Sequence, residues 1–130
     1  MRRLAAALVL SLGLAAPAFA DTIDVLKANT LVLREESGKF YTLLISDDGK
    51  MEQVNSAGVW AAGFWSLSGG SYCWTARGAA KLCFALPADK GVGDSWEIRG
   101  PTGRLAWVAE IQEGRADLKA VEEAIRSAAE

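Results

Sequence analysis

Cys73 and Cys83 are the only two cysteines of this 130-residue chain, so a single intramolecular pairing exists. A bridge between them fixes the register of any hairpin that carries them, and a one-residue slip would turn every side chain to the other face. Segments 71–75 and 80–86 both read as strands, with Ala76-Arg77-Gly78-Ala79 between them. With Cys73 opposite Cys83, Trp74 faces Leu82 and Tyr72 faces Phe84. That register gathers aromatic and aliphatic side chains on one face and leaves the disulfide on the other. The short closed loop is worth about 2.8 kcal/mol in the chain-entropy description. A redox-active pair is the other role two cysteines can take. Such pairs sit two residues apart at a helix N-terminus, whereas these two are ten apart in strand context, so the bridge is expected to be structural.

A disulfide implies an oxidising compartment, and residues 1–20 read as the signal that delivers the chain there. Arg2 and Arg3 form a positive start, 4–14 is apolar, and Ala18-Phe19-Ala20 is a small-x-small cleavage site. Cleavage between Ala20 and Asp21 is expected to leave a mature chain starting at Asp21. The apolar run is too short to span a bilayer and breaks at Pro17. The expected location is the periplasm, with no stable membrane insertion after cleavage. Loss of the two arginines takes the net charge from −2 to −4. An acidic excess of this kind argues against nucleic acid as a partner.

Residues 21–114 read as one small β domain. Thr22 is placed to cap a short helix at 23–28. Strands are then expected at 31–35, 40–45, 50–54, 60–67, 71–75, 80–86, 95–99 and 105–112. Turn residues separate them: Ser37-Gly38, Asp47-Asp48-Gly49, Gly58, Gly69-Gly70 and Gly100-Pro101-Thr102-Gly103. About eight short strands at this spacing predict a mainly β fold, a small antiparallel meander barrel or flattened sandwich. Segment 115–130 differs in kind. It is rich in Ala, Glu and Lys/Arg, and Leu118, Val121, Ile125 and Ala128 form one helical stripe after a potential N-cap at Asp117. A C-terminal amphipathic helix is expected there, which could lie across the barrel, dock on a partner or fray.

The chemistry is defined mostly by what the sequence lacks. It contains no His, which removes Ser-His and Cys-His nucleophile systems and the commonest zinc ligand. Neither Ser-x-x-Lys nor Gly-x-Ser-x-Gly occurs. Gly91-Val92-Gly93 precedes a strand rather than a helix, so it reads as a loop and not a phosphate cradle. Asp47-Asp48-Gly49 lacks the alternating ligands and closing Glu of a calcium loop and reads as a turn. Glu35, Glu36, Asp47, Asp48, Asp89, Asp94 and Glu97 fall in or beside turns, where solvated carboxylates are the ordinary reading. A carboxylate-only enzyme therefore has no positive support, and neither a cofactor nor a metal is expected.

Five Trp are the unusual feature. Most are expected to fill a small core. In the 60–67 strand, however, Trp60 and Phe64 share one face while Trp65 and Leu67 share the other. Both faces of one strand cannot be core in a single-layer barrel. The strand twists or bulges at Gly63, or one Trp lies exposed or under the terminal helix. Trp60, Trp65 and Phe64 are therefore the candidate binding surface, for a small apolar ligand or an envelope protein.

Several landmarks recur in a fixed order. A short helix runs into Asn29-Thr30-Leu31, followed by Tyr41 to Asp48-Gly49, then Gly63-x-Trp65, Cys73 and Cys83. An approach from Gly93 to Trp96 and a final hairpin at Gly103 complete the set. In this the chain resembles small exported proteobacterial domains of unknown function with a lipocalin-like, or calycin-like, barrel. The resemblance spans residues 22–114 and implies the barrel and the disulfide, and no activity. Gly63-Phe64-Trp65-Ser66-Leu67 also resembles the first strand of small periplasmic protease inhibitors, although here it lies mid-chain. Two functions emerge as expectations. One is a non-enzymatic periplasmic binding module acting through the Trp-rich face. The other is an inhibitor of an envelope hydrolase or protease, acting through loops 76–79 or 87–93.

Overall fold

A computed structural model describes residues 21–129. The expected signal segment and its cleavage site at Ala20 lie outside the described residues, apart from Asp21. Eight antiparallel strands form one sheet that curls into a nearly closed barrel. They are β1 Thr30–Arg34, β2 Phe40–Ile45, β3 Lys50–Asn55, β4 Trp60–Ser68, β5 Ser71–Ala76, β6 Leu82–Ala85, β7 Ser95–Arg99 and β8 Leu105–Gln112. Helix α1, Thr22–Ala28, precedes them and α2, Leu118–Ala128, comes after.

The meander closes because β1 pairs with both β2 and β8. The spatial order is β6-β5-β4-β3-β2-β1-β8-β7, so β6 and β7 are the two free edges. Side chains bridge that gap from inside: the Trp74 and Trp107 rings lie 6.0 Å apart, and Phe84 and Trp107 6.3 Å apart. The expected register at the disulfide is present. Cys73 pairs with Cys83, Tyr72 with Phe84 and Trp74 with Leu82. The two cysteines are bonded, with Cα atoms 4.0 Å apart.

Period-2 alternation sorts the side chains. Leu31 and Leu33, Leu43 and Ile45, Met51, Tyr72 and Trp74, Ala109 and Ile111 turn inward and form one buried cluster with Ile23 and Leu26 of α1. Val54 and Leu44 face outward and would be exposed but for α2. That helix lays Leu118, Val121 and Ile125 over them, making a second, smaller cluster. The terminal helix therefore lies across the barrel. Asp117 caps it as expected, its Oδ1 accepting from the backbone N–H groups of Lys119 (3.1 Å) and Ala120 (3.3 Å). At the far end Arg126 donates to the Gly58 carbonyl at 3.3 Å.

Two expectations are corrected. Thr22 does not cap α1. Asp21 holds the N-cap position without a side-chain bond, and Thr22 lies buried in the first turn. Its hydroxyl instead donates to the Pro87 carbonyl and accepts from the Lys90 backbone N–H at 3.0 Å, tying α1 to the loop before β7. A buried threonine hydroxyl is used where its partners are, and those partners lie more than sixty residues away. The sixth strand is also shorter than expected, because residues 80–81 and 86 leave the ladder.

Candidate functional site

The outer face of β4 carries the two exposed aromatic side chains among the described residues; the other exposed large apolar residues are the aliphatic Val59, Leu67, Leu82 and Val92. Pairing with β3 sets Trp60 beside Val54, Ala62 beside Glu52 and Phe64 beside Lys50. Val54 is outward, so all three β4 residues point away from the interior. Trp60 is 51% exposed and Phe64 64% exposed, and Val59 just before the strand is equally open. Trp65, the next residue, turns inward. It stacks on Tyr72 at 6.2 Å, 12° from parallel, and packs against the interior cluster. Its indole N–H donates to the Ser46 carbonyl at 2.8 Å. Of the three candidate residues, the structure thus brings Trp60 and Phe64 to one surface and assigns Trp65 to the core.

No bulge at Gly63 is needed for this. The β3–β4 and β4–β5 registers run through Gly63 without a shift. Gly63 matters for another reason: a Cβ there would lie 1.9 Å from the Thr75 carbonyl oxygen. Only glycine lets β5 come this close to β4.

Beside the exposed strip runs a groove of about 620 Å³. Leu44, Ala62 and Phe64 supply its apolar lining, and Lys50, Glu52, Arg77 and Arg115 its charges. A second hollow of about 440 Å³ continues toward α2 between Trp60 and Leu118; it shares Leu44 and Glu52 with the first. Among the described residues, neither Arg77 nor Arg115 enters an ion pair. Arg115 is nonetheless held in place. One of its terminal nitrogens donates to the Lys27 carbonyl (2.7 Å) and the Ile45 carbonyl (2.8 Å). Lys50 is partly neutralised by Asp48, 3.6 Å away. The Ser46 hydroxyl bonded to Asp48 holds that carboxyl below the usual carboxylate range.

The Asp47-Asp48-Gly49 segment is a turn. Asp48 accepts from Ser46 Oγ and the Lys50 N–H, while Gly49 takes a φ of 82°. Among the described residues no three His, Cys, Asp or Glu side chains gather as metal ligands. No helix among them is long and apolar enough to cross a membrane.

Sequence reasoning found Trp60 and Phe64 but missed the charges around them. Lys50 could have been found by extending the Asp-Gly hairpin register one strand further. Arg115 could not, because it reaches the groove only through the β8–α2 loop. Comparison with protein-family models, with curated proteins and with solved structures finds no match.

Proposed function

We propose that this chain is an exported, periplasmic, non-enzymatic binding domain that works through the outer face of β4, with the groove beside Trp60 and Phe64 as its site. One observation carries this reading. Two large aromatic side chains stand more than half exposed on the outer face of a barrel whose interior already holds Trp65, Tyr72, Trp74, Phe84 and Trp107. Exposed apolar side chains rimmed by polar ones mark interaction surfaces. An eight-strand barrel either holds a ligand inside or is filled by its own side chains, and a filled one must act through its surface.

The signal-like residues 1–20 and the Cys73–Cys83 bridge support export. The order of landmarks from Asn29 to Gly103 supports membership among lipocalin-like exported domains. The inhibitor reading meets the same surface, since Arg77 of loop 76–79 lines the groove.

The test is native mass spectrometry of protein purified gently from the periplasm, wild type beside a Trp60→Ser/Phe64→Ser variant. The expected result is a non-covalent occupant on the wild type that the variant loses while its melting temperature is kept. An occupant retained by the variant would place the site elsewhere.

A further inference from the structure

We infer that the groove takes a single amphiphilic anion, an apolar chain ending in a carboxylate or similar group, with the chain along Phe64 and Ala62 and the head toward Arg77 and Arg115. The inference rests on the groove being the binding site and adds the chemistry of its occupant.

Charge points to the head group. The mature chain is expected to be acidic, yet the groove collects Lys50, Arg77 and Arg115 against Glu52 alone. Among the described residues, Arg34 is paired with Glu110 at 3.0 Å and Arg99 with Glu97 at 2.7 Å, while Lys39, Lys81, Lys90, Arg104 and Lys119 also lack ion pairs but do not line this groove. Two guanidiniums without carboxylate partners on one groove are a standing demand for an anion.

Preorganisation adds to it. Arg115 spends one terminal nitrogen on two backbone carbonyls, which fixes its position without neutralising its charge. Its remaining N–H donors stay available, so binding an anion there costs little side-chain entropy.

Shape and polarity decide the rest of the occupant. A groove of about 620 Å³ falls within the range of small-molecule sites, and apart from Ser46 and Thr75 its uncharged lining is apolar or glycine, with Leu44, Met51, Ala62 and Phe64 the larger contributors. A bilayer does not fit as well as a single molecule. Toward α2 the surface carries Glu52, Asp117 and Glu122 against Lys119 alone around Trp60, and this acidic excess would face an anionic membrane laid flat on the strip. A concave site with a cationic excess in one hollow and an acidic excess in the adjoining one orients one amphiphile rather than a lipid sheet.

Isothermal titration calorimetry of the disulfide-bonded chain tests this with three twelve-carbon probes below their micelle concentrations: dodecanoate, dodecanol and dodecyltrimethylammonium. One-to-one binding of dodecanoate is expected, roughly tenfold tighter than of the cationic probe and weakened by added salt. Arg77→Gln should weaken dodecanoate several-fold and leave dodecanol unchanged, since Arg77 is exposed and its side chain makes no described bond. Equal affinity for all three probes, lost in Phe64→Ser, would overturn the anionic head and keep the groove. No binding of any probe, or binding untouched by Phe64→Ser, would overturn the groove itself. Binding of the chain to phosphatidylglycerol vesicles but not to monomeric dodecanoate would overturn the single-molecule occupant.

Discussion

Phe64 and Trp65 are adjacent in the chain and sit on opposite faces of β4. Trp65 stacks on Tyr72, bonds the Ser46 carbonyl through its indole N–H and lies under Lys27, whose Nζ is 5.6 Å from the ring centroid. Phe64 is 64% exposed, with Lys50 and Thr75 as its cross-strand partners. Both are large aromatics, yet only the inward one contributes its burial to stability. On the inner face the aromatics fill a small barrel and bridge the β6–β7 gap; on the outer face Trp60 and Phe64 stand more than half exposed and form the proposed binding surface.

The inner face is most vulnerable at Tyr72, which is fully buried against Trp65, Trp74 and Phe84. Tyr72→Ala should cost about 3–5 kcal/mol in chemical denaturation, enough to threaten folding. A loss under about 1 kcal/mol would mean that the inner aromatics do not form the core. Gly63→Ala comes next. Its methyl group would meet the Thr75 carbonyl, so about 1–3 kcal/mol or more should be lost as β4 and β5 are forced apart.

Removing single polar bonds probes the inner face more finely. Trp65→Phe keeps a ring but deletes the indole N–H that satisfies Ser46, and should cost about 1 kcal/mol. Tyr72→Phe should do the reverse. The Tyr72 hydroxyl is buried without a partner, so its removal should be neutral or stabilising by up to about 1 kcal/mol.

The outer face should contribute least. Glu110 on β8 bonds Arg34 and Gln112 there, and Arg34 holds its carboxyl below the ordinary range. A lowered folded-state pKa contributes stability above the unfolded value, lost as pH falls through the folded one. Both partners are more than a third exposed, so the contribution is only a few tenths of a kcal/mol after solvent screening. Glu110→Gln should cost those few tenths of a kcal/mol at neutral pH and leave stability unchanged at the acid end, flattening the small loss seen as pH falls below about 4.

The barrel was legible because its strands alternate and its turns carry Gly, Asp or Pro at the required places. The disulfide was legible because two cysteines in facing strands allow one register. Strand β4 resisted the same reasoning. Trp60, Ala61, Ala62, Phe64, Trp65 and Leu67 are apolar on both faces, so the strand alone cannot say which side is core. Its neighbours decide: Trp65 is inward because Trp74 opposite it is, and Trp60 is outward because Val54 is. Thr22 misled for a related reason, since its hydroxyl bonds the Pro87 loop and not its own helix. The groove was out of reach because α2 and Arg115 return to it from the end of the chain.

The division between the two faces is tested most directly by placing photoreactive benzoylphenylalanine at Phe64 and, as a control, at Arg104 in the distant hairpin, and irradiating cells making each protein. Mass spectrometry of the intact chain then reads any adduct. A discrete added mass is expected from position 64 and none from position 104. An adduct from position 104 with none from position 64 would contradict this division, and the exposed face of β4 would lose its claim to be the working surface.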